Sequence, residues 1–322
     1  MQKNKLNVFS RMTKQMKEVL RIQDERAKDA FVTGDDFDEL REAYVIERKY
    51  WNEGGPSVEN IRNMTINGPH GDIPIRIYYP NKKSINSCCV FIHGGGFVVG
   101  NMDTHDRIMR TLSNYADVAV IGIDYRLSPE NKFPVALEEC VALVEYLHNY
   151  GENHGIDGNN ISLAGDSGGA SLSLATTLFL RNKKEDISYI TSLILYYGGF
   201  GLKDSMSMRL FGGPWDGLTR KDINYYCNCY VKNEGDKDNP YLDCLSADLT
   251  YGIPSTYICV GDLDPLLDDS LALEKILTEN GIKCKCDVYK GLLHSFLHYS
   301  KILEEAKDAL KKGAEFMKEN KQ

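Results

Sequence analysis

The chain has 322 residues, a formal net charge of -8 and 42% hydrophobic residues. This composition is typical of globular proteins with a sizeable core, and it argues against disordered, collagen-like and membrane-embedded chains. The negative charge argues against binding to nucleic acid or to anionic membrane surfaces, which would repel the chain on average. The length fits either two domains or one α/β body with an elaborated cap.

The N-terminus and the cysteines bear on cellular location. Residues 1–11 are basic, but no apolar run of signal-peptide length follows them, and no later stretch is long enough to span a bilayer. The nine cysteines are an odd number, so we expect reduced thiols and a cytoplasmic protein. Two close pairs, Cys227/Cys229 and Cys284/Cys286, lack the spacing of common structural zinc sites, and we expect no metal there.

The first predicted element is an amphipathic helix from Leu6 to about Phe31. Its apolar residues recur at helical spacing, and its opposite face is charged. Such a helix needs a surface to pack against. The break Gly54–Pro56 separates this N-terminal part from the rest of the chain.

Eight strands follow. The later strands are short, continuously apolar and separated by helical patterns such as Phe133–Tyr150 and Lys301–Lys318, which predicts parallel strands covered by helices on both faces. Between Gly198 and about Leu249 this alternation fails, and glycines, Pro214 and many aromatic residues predict an insertion above the sheet. The predicted strands are Ile61–Ile66, Ile75–Tyr79, Cys88–Ile92, Val118–Asp124, Ile161–Ala164, Ile190–Tyr196, Ser255–Val260 and Cys284–Tyr289.

A glycine-rich segment, Gly165–Gly169, lies between the fifth predicted strand and a helical pattern. It reads Gly-Asp-Ser-Gly-Gly, which fits a nucleophile elbow in which Ser167 occupies a strained turn and the flanking glycines allow the bend. The following helix directs its N-terminus at the serine and favours negative charge there. The non-catalytic alternative is a glycine-rich helix N-terminus in which Ser167 is the N-cap residue.

A second glycine-rich loop follows the third predicted strand. Its consecutive glycines leave backbone N–H groups unobstructed, as acyl transfer requires for stabilising an oxyanion. We assign an oxyanion hole to the amides of Gly95, Gly96 and Gly168, and we expect His93 to support the loop rather than to transfer protons. A flexible loop or a phosphate cradle is the alternative, but the Lys-Ser/Thr ending of a P-loop is missing. The motif is His93-Gly94-Gly95-Gly96-Phe97.

The acid and the base of a catalytic triad should follow in the chain order Ser, Asp, His, each after a late strand. Asp264 follows the seventh predicted strand and His294 follows the eighth. An imidazole makes a serine hydroxyl nucleophilic by taking its proton, and a buried carboxylate fixes the tautomer of that imidazole. This mechanism needs no cofactor and no metal.

Two alternatives remain open on spacing alone. The neighbouring carboxylates of Asp262, Asp268 and Asp269 compete with Asp264, although each would also suit the start of the helix expected near Ser270. His298 lies one helical turn after His294, so the two could form a metal-binding pair, but no third ligand is suggested. We expect packing or surface exposure for His298.

These motifs resemble the hormone-sensitive-lipase-like family of α/β-hydrolase carboxylesterases. The resemblance covers most of the chain, and the segment Asp264–Ser270 is similar to that of enterobacterial acetyl esterases. The resemblance implies the α/β-hydrolase fold, and it identifies Asp264 as the catalytic acid because this residue precedes Pro-Leu. It also implies a core of residues 56–322 that carries a cap. The cap would be built from residues 1–55 and from an insertion at about 198–249. One departure is Gly168, where the family usually has alanine.

The implied activity is hydrolysis of small-molecule esters with short acyl chains, acetyl to butyryl. An amidase, peptidase or lactonase using the same triad remains an alternative, because fold does not fix the leaving group. A non-catalytic ligand-binding or regulatory role is the other alternative, since plant gibberellin receptors of this family lack the catalytic histidine. The presence of His294 argues against that role. The sequence does not indicate the oligomeric state or a protein partner.

Overall fold

The computed structural model describes residues 6–27, 30–184, 186–213, 215 and 218–321. Residues 1–5 of the expected N-terminal cap and Pro214 of the expected insertion lie outside the described residues. A single eight-stranded sheet runs through the described chain. Its strands are β1 Asn60–Gly68, β2 Gly71–Tyr79, β3 Asn86–Ile92, β4 Ala119–Ile123, β5 Ile156–Asp166, β6 Ile190–Tyr196, β7 Ser255–Gly261 and β8 Cys284–Tyr289.

The strand order across the sheet is β1-β2-β4-β3-β5-β6-β7-β8. Strand β2 is antiparallel to both of its neighbours, and the pairs from β4 through β8 are parallel. The prediction of a mostly parallel eight-stranded sheet is therefore confirmed. Because parallel strands all end at the same edge, the loops that follow β3, β5, β7 and β8 meet there.

Helices cover both faces of the sheet, as expected from strands that are apolar on both sides. One apolar cluster joins the sheet to the helices α5, α6 and α9, and another joins its opposite face to α2, α4 and α10. The helices are α1 Val8–Arg11, α2 Lys14–Ala27, α3 Phe37–Asn52, α4 Asp106–Ala116, α5 Val135–Tyr150, α6 Gly168–Lys183, α7 Met206–Leu210, α8 Arg220–Tyr230, α9 Leu267–Glu279 and α10 Glu304–Glu319.

The prediction of one unbroken helix from Leu6 to about Phe31 is wrong. The structure divides it into α1 and α2, because the hydroxyl of Thr13 accepts a hydrogen bond from the backbone N–H of Met16 at 3.0 Å and starts a new helix. The Thr13 N–H itself donates to the carbonyl of Gly291. The break thus attaches the N-terminal segment to the loop after β8.

The segment between β6 and β7 contains α7 and α8 and short 3₁₀ turns, in agreement with an irregular insertion. Helix α8 packs on α3 and on the loop after β3 through a small cluster that includes Tyr44, Val98 and Tyr226. Both segments therefore lie at the edge of the sheet where the glycine-rich loops emerge. Across the described ranges, no helix combines the length and the apolar character needed to cross a membrane.

Candidate active site

The side chains singled out in the sequence lie at the carboxyl ends of four strands. Ser167 directly follows β5, and His93 directly follows β3. Asp264 lies in the turn after β7, and His294 lies in the loop after β8. Four segments that are distant in sequence thus meet above one edge of the sheet.

The turn at Ser167 has the strained backbone of a strand-to-helix elbow. Its φ of 51° and ψ of -121° lie in a region that residues with a side chain rarely adopt. The flanking glycines have no space for a side chain: a Cβ on Gly165 would lie 2.7 Å from the carbonyl oxygen of Ile92, and one on Gly169 would lie 2.7 Å from that of His93. Close backbone packing on both sides holds the serine in this conformation.

Three side chains form a continuous chain of contacts. Ser167 Oγ lies 2.9 Å from His294 Nε2, and His294 Nδ1 lies 2.8 Å from Asp264 Oδ2. The other carboxylate oxygen of Asp264 accepts the N–H of Leu266 at 2.8 Å, which fixes the orientation of the acid. The ring of Tyr197 packs edge-on against His294 with centroids 5.0 Å apart. This arrangement lets an imidazole take the proton of a serine hydroxyl while a buried carboxylate orients it.

The other three aspartates near Asp264 have different partners. Asp262 accepts the N–H of Gly291, and Asp268 accepts the N–H of Ser207. Asp269 Oδ1 accepts three backbone N–H groups at 2.7–3.1 Å. The helix that they precede or begin starts at Leu267 rather than near Ser270. Among the four carboxylates, Asp264 is the one that contacts His294.

The glycine loop after β3 is tightly folded. Gly95 and Gly96 have φ values of 112° and 59°, which favour glycine. The carbonyl of Gly95 accepts the N–H groups of Val98 and Val99, and these bonds close the turn. Gly168 begins α6, where the first N–H groups have no acceptor within the helix. Gly96, Gly168 and Ser167 line the same pocket, and Gly95 directly precedes Gly96 in the loop.

His93 is buried and does not contact Ser167 in the structure. Its ring stacks on that of Tyr125 with centroids 4.3 Å apart, and its Nδ1 lies 2.8 Å from the carbonyl oxygen of Gly94. Burial lowers the pKa of His93 to about 3, so its imidazole is neutral. The Tyr125 hydroxyl donates to the His93 carbonyl at 2.9 Å. These contacts support the loop, which is the role expected for His93.

His294 and His298 do not face a common position where a metal ion could bind both. His298 turns away to the buried carboxylate of Asp166, with its Nε2 3.6 Å from Oδ2, and His105 Nε2 lies 3.1 Å from Oδ1. The ligating atoms of His105, Asp166 and His298 lie within 4.8 Å of one another, a grouping that fits a metal ion by donor type. One oxygen of Asp166 already accepts the N–H of Gly94 at 2.9 Å. The interpretation of His298 as a packing residue agrees with this position.

A cavity of about 390 Å³ opens above Ser167. Its volume is at the small end of the range for ligand sites and suffices for both parts of a small ester. The wall near Ser167 is mainly apolar, and the rim carries charged side chains such as Lys203 and Arg220 that are paired with Asp238 and Asp204. The apolar lining includes Phe97, Leu172, Met208, Leu218, Ile223 and Leu266.

The aromatic residues of the insertion divide into two groups. Tyr226 and Tyr230 line the cavity, and Tyr230 stacks on Phe97 with centroids 3.9 Å apart. Tyr225 instead donates its hydroxyl to the carbonyl of Gly34 and stacks on a ring of α3. Phe211 and Trp215 pack against the apolar cluster that also contains residues of α2, α4 and α10. Only part of the aromatic set therefore shapes the pocket.

Sequence reasoning missed Asp166, His105 and Tyr197 as neighbours of the site. Asp166 offered a signal, since a carboxylate at the end of a buried strand needs partners inside the protein. His105 lies at the start of α4 and offered none, because nothing in its local pattern indicates contact with the elbow.

Comparison with known proteins identifies the family of the chain. A family model described as the alpha/beta hydrolase fold matches residues 89–298. Acetyl esterases of Salmonella agona and Salmonella paratyphi A are each 41% identical over 313 residues, which is 97% of this chain and 96% of theirs.

Solved esterase structures are similar over most of the chain. A hyperthermophilic esterase from the archaeon Pyrobaculum calidifontis has a TM-score of 0.90 at 27% identity, covering 96% of this chain and 98% of its own. A thermostable carboxylesterase cloned from a metagenomic library has a TM-score of 0.85 at 27% identity, covering 89% and 98%. The chain therefore belongs to the α/β-hydrolase-fold family and, within it, to the hormone-sensitive-lipase-like carboxylesterases.

Proposed function

We propose that the protein hydrolyses esters of short acyl chains, acetyl to butyryl, with Ser167 as nucleophile, His294 as general base and Asp264 as the orienting acid. The observation that carries the proposal is the unbroken contact from Ser167 Oγ through the imidazole to Asp264, with distances of 2.9 and 2.8 Å. A serine placed on a strained turn at the floor of a pocket has this geometry when it acts as a nucleophile.

The reaction follows from the positions of these groups. Ser167 Oγ attacks the ester carbonyl while His294 Nε2 accepts its proton, and the amides of Gly95, Gly96 and Gly168 stabilise the oxyanion. The imidazolium then gives the proton to the leaving alcohol, which departs and leaves an acyl-enzyme. Water repeats the sequence, releases the acid and restores the hydroxyl. No cofactor takes part in these steps.

The preference for short acyl chains rests on the acetyl esterase relatives at 41% identity and on the compact pocket. Tyr226, Tyr230 and Phe97 line the same cavity as Ser167, and its volume of about 390 Å³ must hold the whole ester. A long acyl chain and an alcohol together would exceed this space unless the insertion moves. A series of p-nitrophenyl esters from acetate to decanoate should show the highest kcat/KM at or below butyrate, and a maximum at long chains would contradict the proposal.

Labelling with an organophosphate tests the nucleophile directly. The wild-type protein should take up one equivalent, and Ser167→Ala should take up none and lose esterase activity. Ser171→Ala is the matched control, because Ser171 lines the same pocket but donates its hydroxyl to the carbonyl of Gly199. Labelling that persists in Ser167→Ala, or a wild-type protein inert to the probe, would refute the assignment.

Parallel assays separate ester hydrolysis from the alternatives. Matched aryl esters and anilides share an acyl group, so their relative kcat/KM values report the leaving group alone. Lactones are assayed alongside them as a separate substrate class. We expect esters to be turned over fastest. A higher rate on anilides would instead favour an amidase.

We further propose that residues 1–55 and about 198–249 form a cap over the core, supported by the contacts of α3 and α8. Limited proteolysis of the native protein should cut first within these two segments. We also propose a cytoplasmic location, in keeping with nine cysteines that are all unpaired, and cell fractionation tests it.

A further inference from the structure

We propose that the alcohol part of the ester is rich in hydroxyl groups, as in a partial ester of glycerol or of a sugar. This inference rests on the proposed function, because the alcohol must enter the cavity above Ser167. It goes beyond that function by naming the class of alcohol, which the preference for short acyl chains does not determine. The polar side chains of the cavity wall support this assignment.

The cations of the cavity wall are already paired. Three basic side chains line the cavity, and each forms an ion pair with a carboxylate that is not one of the lining residues. Their charges are therefore largely compensated by these partners, and exposed pairs of this kind contribute little energy. The pairs are Lys203 with Asp238, Arg220 with Asp204 and Lys237 with Glu234.

Two carboxylates of the wall lie against the same glycine. Asp243 and Asp269 both line the cavity. Asp269 Oδ1 accepts the N–H of Gly201 at 3.0 Å. A Cβ on Gly201 would lie 2.8 Å from the Cα and the Cγ of Asp243, so the two chain segments are in close contact there. The two carboxylates are therefore neighbours and form one acidic part of the wall.

One oxygen of Asp269 lacks a donor. The side chain is fully buried, and its Oδ2 has no hydrogen-bond partner within the part of the chain that the structure describes. A buried acceptor without a donor costs free energy, so such atoms are rare in folded proteins. Because Asp269 lines the cavity, a hydroxyl group of a bound substrate can supply the donor.

Asp243 also keeps capacity to accept hydrogen bonds. Burial raises the pKa of Asp243, although the charge of Lys203 and the N–H of Ser246 oppose the shift. Lys203 forms its ion pair with Asp238, which leaves the Asp243 carboxylate available to other donors. The exposed side chain of Asn224 lines the same cavity, and its amide both donates and accepts. The groups of the wall that are available to a ligand are thus mainly acceptors.

The charges of the wall favour a neutral alcohol. An anionic alcohol would meet the carboxylates of Asp243 and Asp269, and a cationic alcohol would meet the basic side chains of the rim. An apolar alcohol would displace solvent from the acceptors and leave them without donors. A neutral alcohol with several hydroxyl groups avoids these costs, because each hydroxyl donates to a carboxylate or to the amide.

Two matched pairs of acetates test the proposal. Glycerol 1-acetate and propyl acetate differ only in two hydroxyl groups, and glucose 6-acetate and cyclohexylmethyl acetate extend the comparison to a sugar. Each kcat/KM is divided by the rate constant of alkaline hydrolysis, which removes the intrinsic reactivity of the ester. The hydroxylated member should then be favoured about 10- to 100-fold in at least one pair, because hydrogen bonds to charged groups provide this much discrimination. Ratios near one in both pairs would overturn the proposal.

The variant Asp269→Asn tests the carboxylate itself. It keeps an oxygen for the three backbone N–H groups and replaces Oδ2 by an amide nitrogen, which donates instead of accepting. The ratio of glycerol 1-acetate to propyl acetate should fall about 10-fold. Asp268→Asn is the matched control, because Asp268 is the neighbouring residue and accepts the N–H of Ser207 but does not line the cavity. Its ratio should equal that of the wild-type protein.

Asp243→Asn keeps the proposal testable if Asp269→Asn does not fold. It should lower the same ratio, because one acceptor oxygen of the wall becomes a donor. An unchanged ratio in the folded variants of both Asp243 and Asp269 would overturn the proposal.

Charged acetates separate the competing classes of alcohol. Acetylcholine and its neutral isostere 3,3-dimethylbutyl acetate report on a cationic alcohol, and 4-acetoxybenzoate and 4-acetoxybenzamide report on an anionic one. We expect ratios near one, and a preference for a charged member that exceeds the glycerol ratio would overturn the proposal in favour of that class. A protein that is labelled at Ser167 but does not prefer hydroxylated acetates refutes this inference alone. Failure of the organophosphate to label wild-type Ser167 would instead refute the proposed function.

Discussion

The substitution Asp269→Asn should make the protein more stable at neutral pH but not at acidic pH. Asp269 is fully buried in the first turn of α9. Its Oδ1 accepts the N–H groups of Phe200, Gly201 and Leu202, whereas its Oδ2 is buried without a hydrogen-bond partner. Burial raises the pKa of Asp269 to about 6 although these three bonds oppose the shift. Ionisation of this carboxylate therefore destabilises the fold.

The magnitude follows from linkage between protonation and folding. The pKa rises from 3.8 to about 6, and each pKa unit corresponds to about 1.4 kcal/mol, so the difference amounts to about 3 kcal/mol. Well below the unfolded pKa of 3.8 the carboxyl is protonated in both states and no penalty exists. Between 3.8 and about 6 the carboxyl ionises in the unfolded chain but stays protonated in the folded protein, so the penalty grows over this interval and is complete above about pH 6. The wild-type protein loses this stability over that interval, and an asparagine does not.

Urea unfolding of both proteins at about pH 4 and about pH 8 measures the effect. Asparagine keeps a carbonyl oxygen for the three N–H donors, and any cost of burying its amide appears equally at both pH values. The free energy of unfolding of Asp269→Asn minus that of wild type should therefore rise by about 2.5 kcal/mol between the two pH values, because part of the penalty is already present at about pH 4. A difference that does not depend on pH would refute the reasoning.

Three further substitutions test the proposed site. Gly168→Ala should raise the free energy of unfolding by about 0.4–1 kcal/mol, because the new Cβ meets Phe97 at 3.3 Å and a small shift of the ring relieves this contact. The value of kcat/KM should not change, because the backbone N–H remains. A lower melting temperature would show that the ring cannot move. Gly96→Ala should lower kcat about 10²- to 10³-fold in an ester assay, because its φ is positive and its Cβ would lie 2.5 Å from Tyr226, so the loop must shift and displace its N–H groups. Retention of full activity would show that the loop accommodates the new Cβ without displacing these donors. Asp264→Asn should lower kcat by about 10⁴-fold with folding intact by circular dichroism, through loss of the correct imidazole tautomer, and a much smaller loss would mean that another group orients the imidazole.

The sheet could be predicted from the sequence because its strands are short apolar runs with a regular order. Strands β6 and β8 have the predicted bounds, and the others differ by a few residues at their ends. Errors lie where a side chain interrupts a regular pattern. The apolar spacing of α1 and α2 is continuous, and only the capping contact of Thr13 in three dimensions reveals the break.

The positions of Ser167, Asp264 and His294 could be predicted because each follows a strand, and parallel strands end at one edge. The choice of Asp264 over Asp262 could not be made from spacing and depended on family resemblance. The residues that line the pocket were harder to predict. Tyr226 and Tyr230 are four residues apart and share one face of α8, but nothing in the sequence indicates that this face, rather than that of Tyr225, meets the cavity.

The carboxylates that competed with Asp264 in the sequence have a common structural role. Asp268 accepts the N–H of Ser207 in α7, and Asp269 accepts three N–H groups at the start of the insertion. The same short segment that presents Asp264 to His294 therefore also anchors the insertion that lines the pocket. Because Asp264, Asp268 and Asp269 lie on one short segment, we expect a displacement of the insertion to disturb the orientation of His294 as well.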